Sequence, residues 1–258
     1  MSHSVLLGSC ALFGLLVGSF LNVVVWRVPR HESIVRPGSH CPNCETQLSA
    51  FENVPVLAWI VLRGRCRHCR APISFRYPLV ELVTAALWVG IGQRFGATWE
   101  VPAYCALAAG LVALSLIDLD HFLLPNRVLY PVGFIFGALM LVPAVVDGSW
   151  TAYLRGVEGG AAAFAVFFAI HVISPRGMGF GDVRLSFILG AALGWLSWGH
   201  VFLGLFLGFL LGAVVGSALI ATKVRTRKEP VPFGPFMAAG ALTAIYLGTQ
   251  LLDLYRGR

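Results

Sequence analysis

Eight long apolar runs, at about residues 5–25, 79–93, 101–117, 128–146, 157–174, 183–198, 200–222 and 236–252, leave this 258-residue chain few ways to fold. Several approach the roughly 20 apolar residues needed to span bilayer hydrocarbon as a helix. The expected class is an all-α polytopic membrane protein with about eight transmembrane helices. Composition agrees: 57% hydrophobic residues and a mean hydropathy of +0.79 exceed what one soluble core buries, and the 12% charged share is about half the usual one. The second and sixth runs are short and the break near Gly199-His200 is tight, so a merged seven-span arrangement is the alternative. The first run is read as a retained helix, since only His3 precedes it and no small-residue cleavage site follows. Trp195, Trp198 and His200 are read as interfacial anchors.

The net charge of +7 could point to nucleic acid, but the basic residues flank apolar runs, which argues for membrane lipid and against nucleic acid as partner. Arg27, Arg30, Arg36, Arg63, Arg65, Arg67, Arg70 and Arg76 place the segment between the first two runs on the cytoplasmic side by the positive-inside rule. Alternation then puts the loops with Arg127, with Arg176 and Arg184, and with Lys223, Arg225, Arg227 and Lys228 on that side too. Only Arg94, Arg155, Arg256 and Arg258 fall elsewhere. The organisation expected is a first transmembrane helix (1–28), a cytoplasmic cysteine loop (29–78) and a transmembrane bundle (79–258). No internal repeat is evident.

Within the loop, Cys41-Pro42-Asn43-Cys44 and Cys66-Arg67-His68-Cys69 present CxxC twice. Each can aim two thiolates at one ion, and four complete a closed tetrahedral site suited to zinc. So small a loop has little core, and structural zinc contributes about 10–16 kcal/mol of apparent binding energy to folding. The neighbouring arginines should favour the thiolates. A redox dithiol pair or disulfides are the competing readings, disfavoured on a cytoplasmic face. His40 and His68 are bystanders, and Cys10 and Cys105, alone in apolar runs, are small buried hydrophobes.

Two acidic stretches stand at the ends of apolar runs. Asp182 lies in Gly177-Met178-Gly179-Phe180-Gly181-Asp182, and Asp118 and Asp120 precede Leu124-Pro125-Asn126. Acids at membrane depth are costly, which makes them functional candidates. Glycines beside Asp182 admit close backbone approach or positive φ. Two carboxylates sharing a proton can cleave a peptide, one activating water while the other polarises the carbonyl. Asp120 is about 200° round the helix from Asp118, so Asp118 is preferred. A helix N-terminus would favour the anion at Asp182 and a C-terminus disfavour it at Asp118, suggesting Asp182 as base and Asp118 as acid, for a pair whose titration is shared. Helix-end acids solvated or paired with Arg127 or Arg184 are the plain structural alternative. Leu124-Pro125 reads as a turn, and Glu81, Glu158 and His171 as structural.

Together these residues resemble the type IV prepilin leader peptidases, membrane aspartic proteases of the GxGD class that also N-methylate their product. The resemblance rests on Gly18-Ser19-Phe20-Leu21-Asn22-Val23 with Arg27-Val28-Pro29, the CxxC pairs followed by Arg76-Tyr77-Pro78-Leu79-Val80-Glu81-Leu82, Asp118 with Leu124-Pro125, and Gly179-Phe180-Gly181-Asp182. It implies Asp118 and Asp182 as the catalytic pair, and Cys41, Cys44, Cys66 and Cys69 as ligands of a structural zinc. It further implies prepilin or pseudopilin substrates cut on the cytoplasmic side, and S-adenosylmethionine as methyl donor, with no residue assigned to that cofactor. Arg184 stands where the family usually has Lys, and Asn126 where Asp is frequent. The rival readings are a leader peptidase without methylation, a proton or cation transporter using the two acids, and an assembly protein built on the zinc loop.

Overall fold

The computed structural model describes residues 2–175, 178–224, 226 and 231–257. Gly177 of the glycine-rich stretch and the basic residues Arg176, Arg225, Arg227, Lys228 and Arg258 lie outside the described residues. The elements are α1 (His3–Arg27), a 3-10 turn (Phe51–Asn53), the short α2 (Leu57–Val61), α3 (Arg76–Phe95), α4 (Glu100–His121), α5 (Asn126–Val146), α6 (Trp150–Ile173), α7 (Phe180–Leu196), α8 (Trp198–Ala221) and α9 (Gly234–Tyr255).

Each apolar run thus becomes its own long helix. Six of them, α1, α4, α5, α6, α8 and α9, are long and apolar enough to cross a membrane; α3 and α7, from the two short runs, fall below that mark. The seventh and eighth helices do not merge. Ser197 is fully extended (φ −175°, ψ 167°) between them, and its hydroxyl accepts the His200 N–H at 3.3 Å, capping α8. His200 and Trp195 are buried, so of the three residues read as interfacial anchors only Trp198 is exposed.

The helices alternate in direction, and side-chain bonds identify two ends. At one end Arg76 meets Asp120, Arg184 meets Asn126 and Asp118 meets Gly234; at the other Arg94 meets Thr249 and Arg155 meets the last carbonyls of α7. Helix α4 is deeply enclosed, with Ala103, Leu107, Ala113 and Ile117 fully buried. It packs against α1, α3, α5 and α9. Around it, helices pair through small residues, as bundles in lipid do. A Cβ on Gly159 of α6 would lie 2.7 Å from the Gly190 carbonyl of α7, and one on Gly18 of α1 would lie 2.7 Å from the Glu81 Cα of α3.

The cysteine loop leaves α1 and returns at α3, anchored at three points. The buried Arg27 donates to the carbonyls of Ser33 (3.0 Å), Pro37 (2.8 Å) and Gly38 (3.3 Å). Asn22 donates to the Tyr77 carbonyl at 3.3 Å, joining the ends of α1 and α3. Glu81, buried on α3, accepts the Val56 N–H at 2.7 Å and holds that β-branched residue at φ +59°, a rarely populated conformation.

Candidate active site and cysteine cluster

The four loop cysteines come together. Their sulfurs all lie within 4.8 Å of one another, and Cys41 and Cys69 are 3.7 Å apart. Sulfurs at about 2.3 Å from a tetrahedral zinc would be roughly 3.8 Å apart, so the donor set fits that ion. The cluster is built by a repeated unit that the sequence does not announce. Cys41 N–H bonds the Thr46 carbonyl as Cys66 N–H bonds that of Ala71; Glu45 N–H bonds Cys41 as Arg70 N–H bonds Cys66; Leu48 N–H bonds Ser39 as Ile73 N–H bonds Gly64. Glu45 and Arg70 share a positive φ, 56° and 61°. Two like knuckles therefore face one another. Hydrogen bonds rather than arginines favour two of the thiolates: the Ala71 backbone N–H, then the Asn43 amide, bring Cys69 down to about 6, and the Thr46 hydroxyl lowers Cys44, whereas Cys41, despite the Asn43 backbone N–H, is pushed up to about 11 by burial and the neighbouring Cys44 and Cys66.

At the same end of the bundle, α4, α7 and α9 bring Asp118 and Asp182 together, close enough for their charges to interact. Both are buried, 5% and 9% exposed, while Asp120 turns outward into a two-bond pair with Arg76 at 2.6 and 3.1 Å. Asp182 occupies the third position of α7 and accepts the Gly179 N–H at 3.1 Å. Gly179 (φ −70°) and Gly181, inside the helix, do not use positive φ. What Gly181 needs is space, since a Cβ there would lie 3.0 Å from that of Leu124. His171 steadies the approach through a 2.8 Å bond between Nδ1 and the Met178 carbonyl.

Asp118 finds a partner that sequence reasoning missed. Its Oδ2 accepts the N–H of Gly234, the first residue of α9, at 3.0 Å. A helix N-terminus therefore faces each acid, and the dipole contrast expected to separate their roles is not there. Leu124 is more than part of a turn: its side chain lies against the Cβ positions of both Gly181 and Gly234 and wedges the two helix starts apart. The only local signal was Gly234-Pro235, a proline suited to a first helical turn. The two positions that depart from the family's habit are bonded to each other, Arg184 donating to Asn126 Oδ1 at 2.6 Å with its guanidinium 4.6 Å from the Phe180 ring. Neither Asp118 nor Asp182 pairs with a basic residue among the described residues.

This fold and site define a class: a helical membrane protein with two electrostatically coupled carboxylates buried at one end of its bundle and a four-cysteine cluster in the loop at that end. Comparison with known proteins makes the class particular. Residues 12–95 match the bacterial peptidase A24 N-terminal domain and residues 105–217 match the type IV leader peptidase family. Proteins named prepilin leader peptidase/N-methyltransferase are similar along nearly the whole chain. That of Stutzerimonas stutzeri is 35% identical over 274 residues (95% of this chain, 92% of the relative). Those of Aeromonas hydrophila and Pseudomonas aeruginosa are 36% and 35% identical, covering 95% and 98% of this chain and 91% and 95% of their own. No solved structure matches. The chain belongs to the type IV leader peptidase family.

Proposed function

We propose that the chain cleaves the leader peptide of type IV prepilins or pseudopilins with Asp118 and Asp182, and N-methylates the new terminus. One observation carries the protease reading: two buried carboxylates from different helices lie close enough for their charges to interact, each fixed by a single backbone N–H and left with lone pairs to spare. A water between them loses a proton to the ionised carboxylate as its oxygen bonds the scissile carbonyl carbon. The protonated carboxyl donates to the carbonyl oxygen, and the C–N bond then breaks as the amine takes up a proton. Both acids act as one titrating unit, with neither assigned as the base.

Cys41, Cys44, Cys66 and Cys69 hold one structural zinc, which stiffens a loop too small to fold on its own core. S-adenosylmethionine, when bound, supplies an electrophilic methyl for the freed amine. The working division is a first helix (1–28), a zinc loop (29–78) and a protease bundle (79–258), with eight spans in the inner membrane and the loop and dyad on the cytoplasmic side. The transporter reading is weaker, because both acids sit at one end of the bundle instead of its middle.

The test is cleavage and labelled-methyl incorporation on one prepilin by wild type, Asp118→Asn, Asp182→Asn and Cys41→Ser/Cys44→Ser. Each Asn variant should lose cleavage at least a thousandfold while keeping methylation of precleaved substrate. Near-normal cleavage by either Asn variant would refute the dyad.

A further inference from the structure

Helices α5 and α6 follow one another through a three-residue turn, yet they scarcely touch. The space between them is a cavity of about 900 Å³ floored by α7. Its walls are almost wholly apolar, with Phe134 and Gly137 from α5, Tyr153 and Phe164 from α6, and Phe180 and Arg184 from α7. On α7 the lining extends from Phe180 to Trp195, about 22 Å at 1.5 Å per residue, or some three-quarters of the hydrocarbon thickness. Gly137 is informative. A Cβ there would touch nothing within 4 Å, so no internal packing requires glycine in this helix interior. Glycine costs about 1 kcal/mol against alanine at such a position. What its absence of a side chain provides is room.

We propose that this groove receives the membrane-embedded apolar helix of the protein substrate, a deeper reading of the protease function that rests on it. The groove ends at the first turn of α7, where Phe180 and Arg184 line it and Asp182 lies between them in sequence. Asp182 is about 200° round the helix from both, so it faces the opposite side of α7. A chain leaving the groove must therefore cross the N-terminal end of α7 at the exposed Gly179, since Leu124 already fills the space at Gly181. The distance is about one helix diameter, 10 Å, or three residues of extended chain. An apolar helix continuing into a short extended segment satisfies both requirements. A lipid tail in the groove would satisfy only the first.

The assay compares a full prepilin with a peptide truncated to the leader and a few residues beyond the cut. Wild type, Gly137→Phe and Gly216→Phe are used, the last a site on α8 where a Cβ also meets nothing within 4 Å. Gly137→Phe should raise KM for the full substrate about tenfold relative to the truncated one, and Gly216→Phe should leave that ratio at the wild-type value. An unchanged ratio for Gly137→Phe, as expected if lipid alone fills the groove, overturns the proposal. Photo-crosslinking supplies an independent readout. With Asp182→Asn to hold the substrate uncut, a crosslinker at position 134 should capture the substrate helix and one at position 202, an exposed position on α8, should not. Capture from 202 and not from 134 overturns the groove while leaving the dyad intact. Cleavage by Asp182→Asn instead overturns the protease reading beneath it.

Discussion

Gly234→Ala should slow cleavage by displacing Asp118 while costing the fold only a little. A Cβ at position 234 would lie 2.9 Å from Asp118 Oδ2 and 3.2 Å from Leu124 Cδ2. Ordinary carbon contacts begin near 3.4 Å, so the carboxylate must retreat by about half an ångström. It cannot retreat far, since Asp118 is buried and Leu124 is held against Gly181. The retreat weakens the 3.0 Å bond from the Gly234 N–H, of a kind worth about 1.5–3 kcal/mol when the acceptor is charged. Misplacement of a reacting group by about 1 Å costs about 100-fold in rate, so half that displacement is expected to cost about 10-fold in kcat. Folding should lose about 1 kcal/mol as well, because the weakened bond and the crowding at Leu124 outweigh the helix propensity that alanine adds at a first helical position. The assay is steady-state cleavage of a prepilin alongside thermal unfolding in the same detergent. The expected result is a tenfold loss of kcat at a slightly lowered Tm. Cleavage within twofold of wild type would refute the claim that the α9 N-terminus sets the position of Asp118.

Other perturbations follow from the same contacts. Asp120→Asn removes a half-exposed ion pair with Arg76, so it should cost no more than about 1 kcal/mol and leave most cleavage intact, in contrast to Asp118→Asn; parallel unfolding and cleavage measurements check this. Arg27→Ala orphans three carbonyls and should expose residues 33–38 to limited proteolysis at least tenfold faster than wild type, with an unchanged digestion pattern counting against it. Serine at any one of the four loop cysteines should reduce bound zinc from one per chain to near zero by metal analysis; retention of a full equivalent would show that the sulfurs do not form one site. Arg184→Lys keeps the charge but loses the planar contact with Phe180 and should raise substrate KM severalfold with kcat little changed.

The bundle was legible because lipid imposes one requirement on every span, and apolar length reports it directly. Even the doubtful runs were informative: the two shortest became α3 and α7, the helices least able to cross a bilayer by length and composition. The inward turn of Asp118 and the outward turn of Asp120 follow from helix geometry. The partner of Asp118 does not, because Gly234 is distant in the chain and meets the acid only when α9 is placed. The twin knuckles escaped notice for a different reason. Apart from the cysteines they share few side chains, and what repeats is the backbone pattern: a positive-φ residue after each CxxC and three matching hydrogen bonds.

The same distinction explains how this site is assembled. A carboxylate in a membrane helix needs a donor, and a helix interior has none free, because its N–H groups are committed four residues back. Free N–H groups exist only where a helix begins. Asp182 uses the start of its own helix, through Gly179, and Asp118 borrows the start of another, through Gly234. Glycine stands in the first turn of each helix, Gly181 in α7 and Gly234 in α9, and Leu124 packs against both. The acids are therefore set at the end of the bundle by backbone supply. If Asp118 and Asp182 are the dyad proposed above, an extended peptide would be cut at that end because that is where buried acids can be held ready.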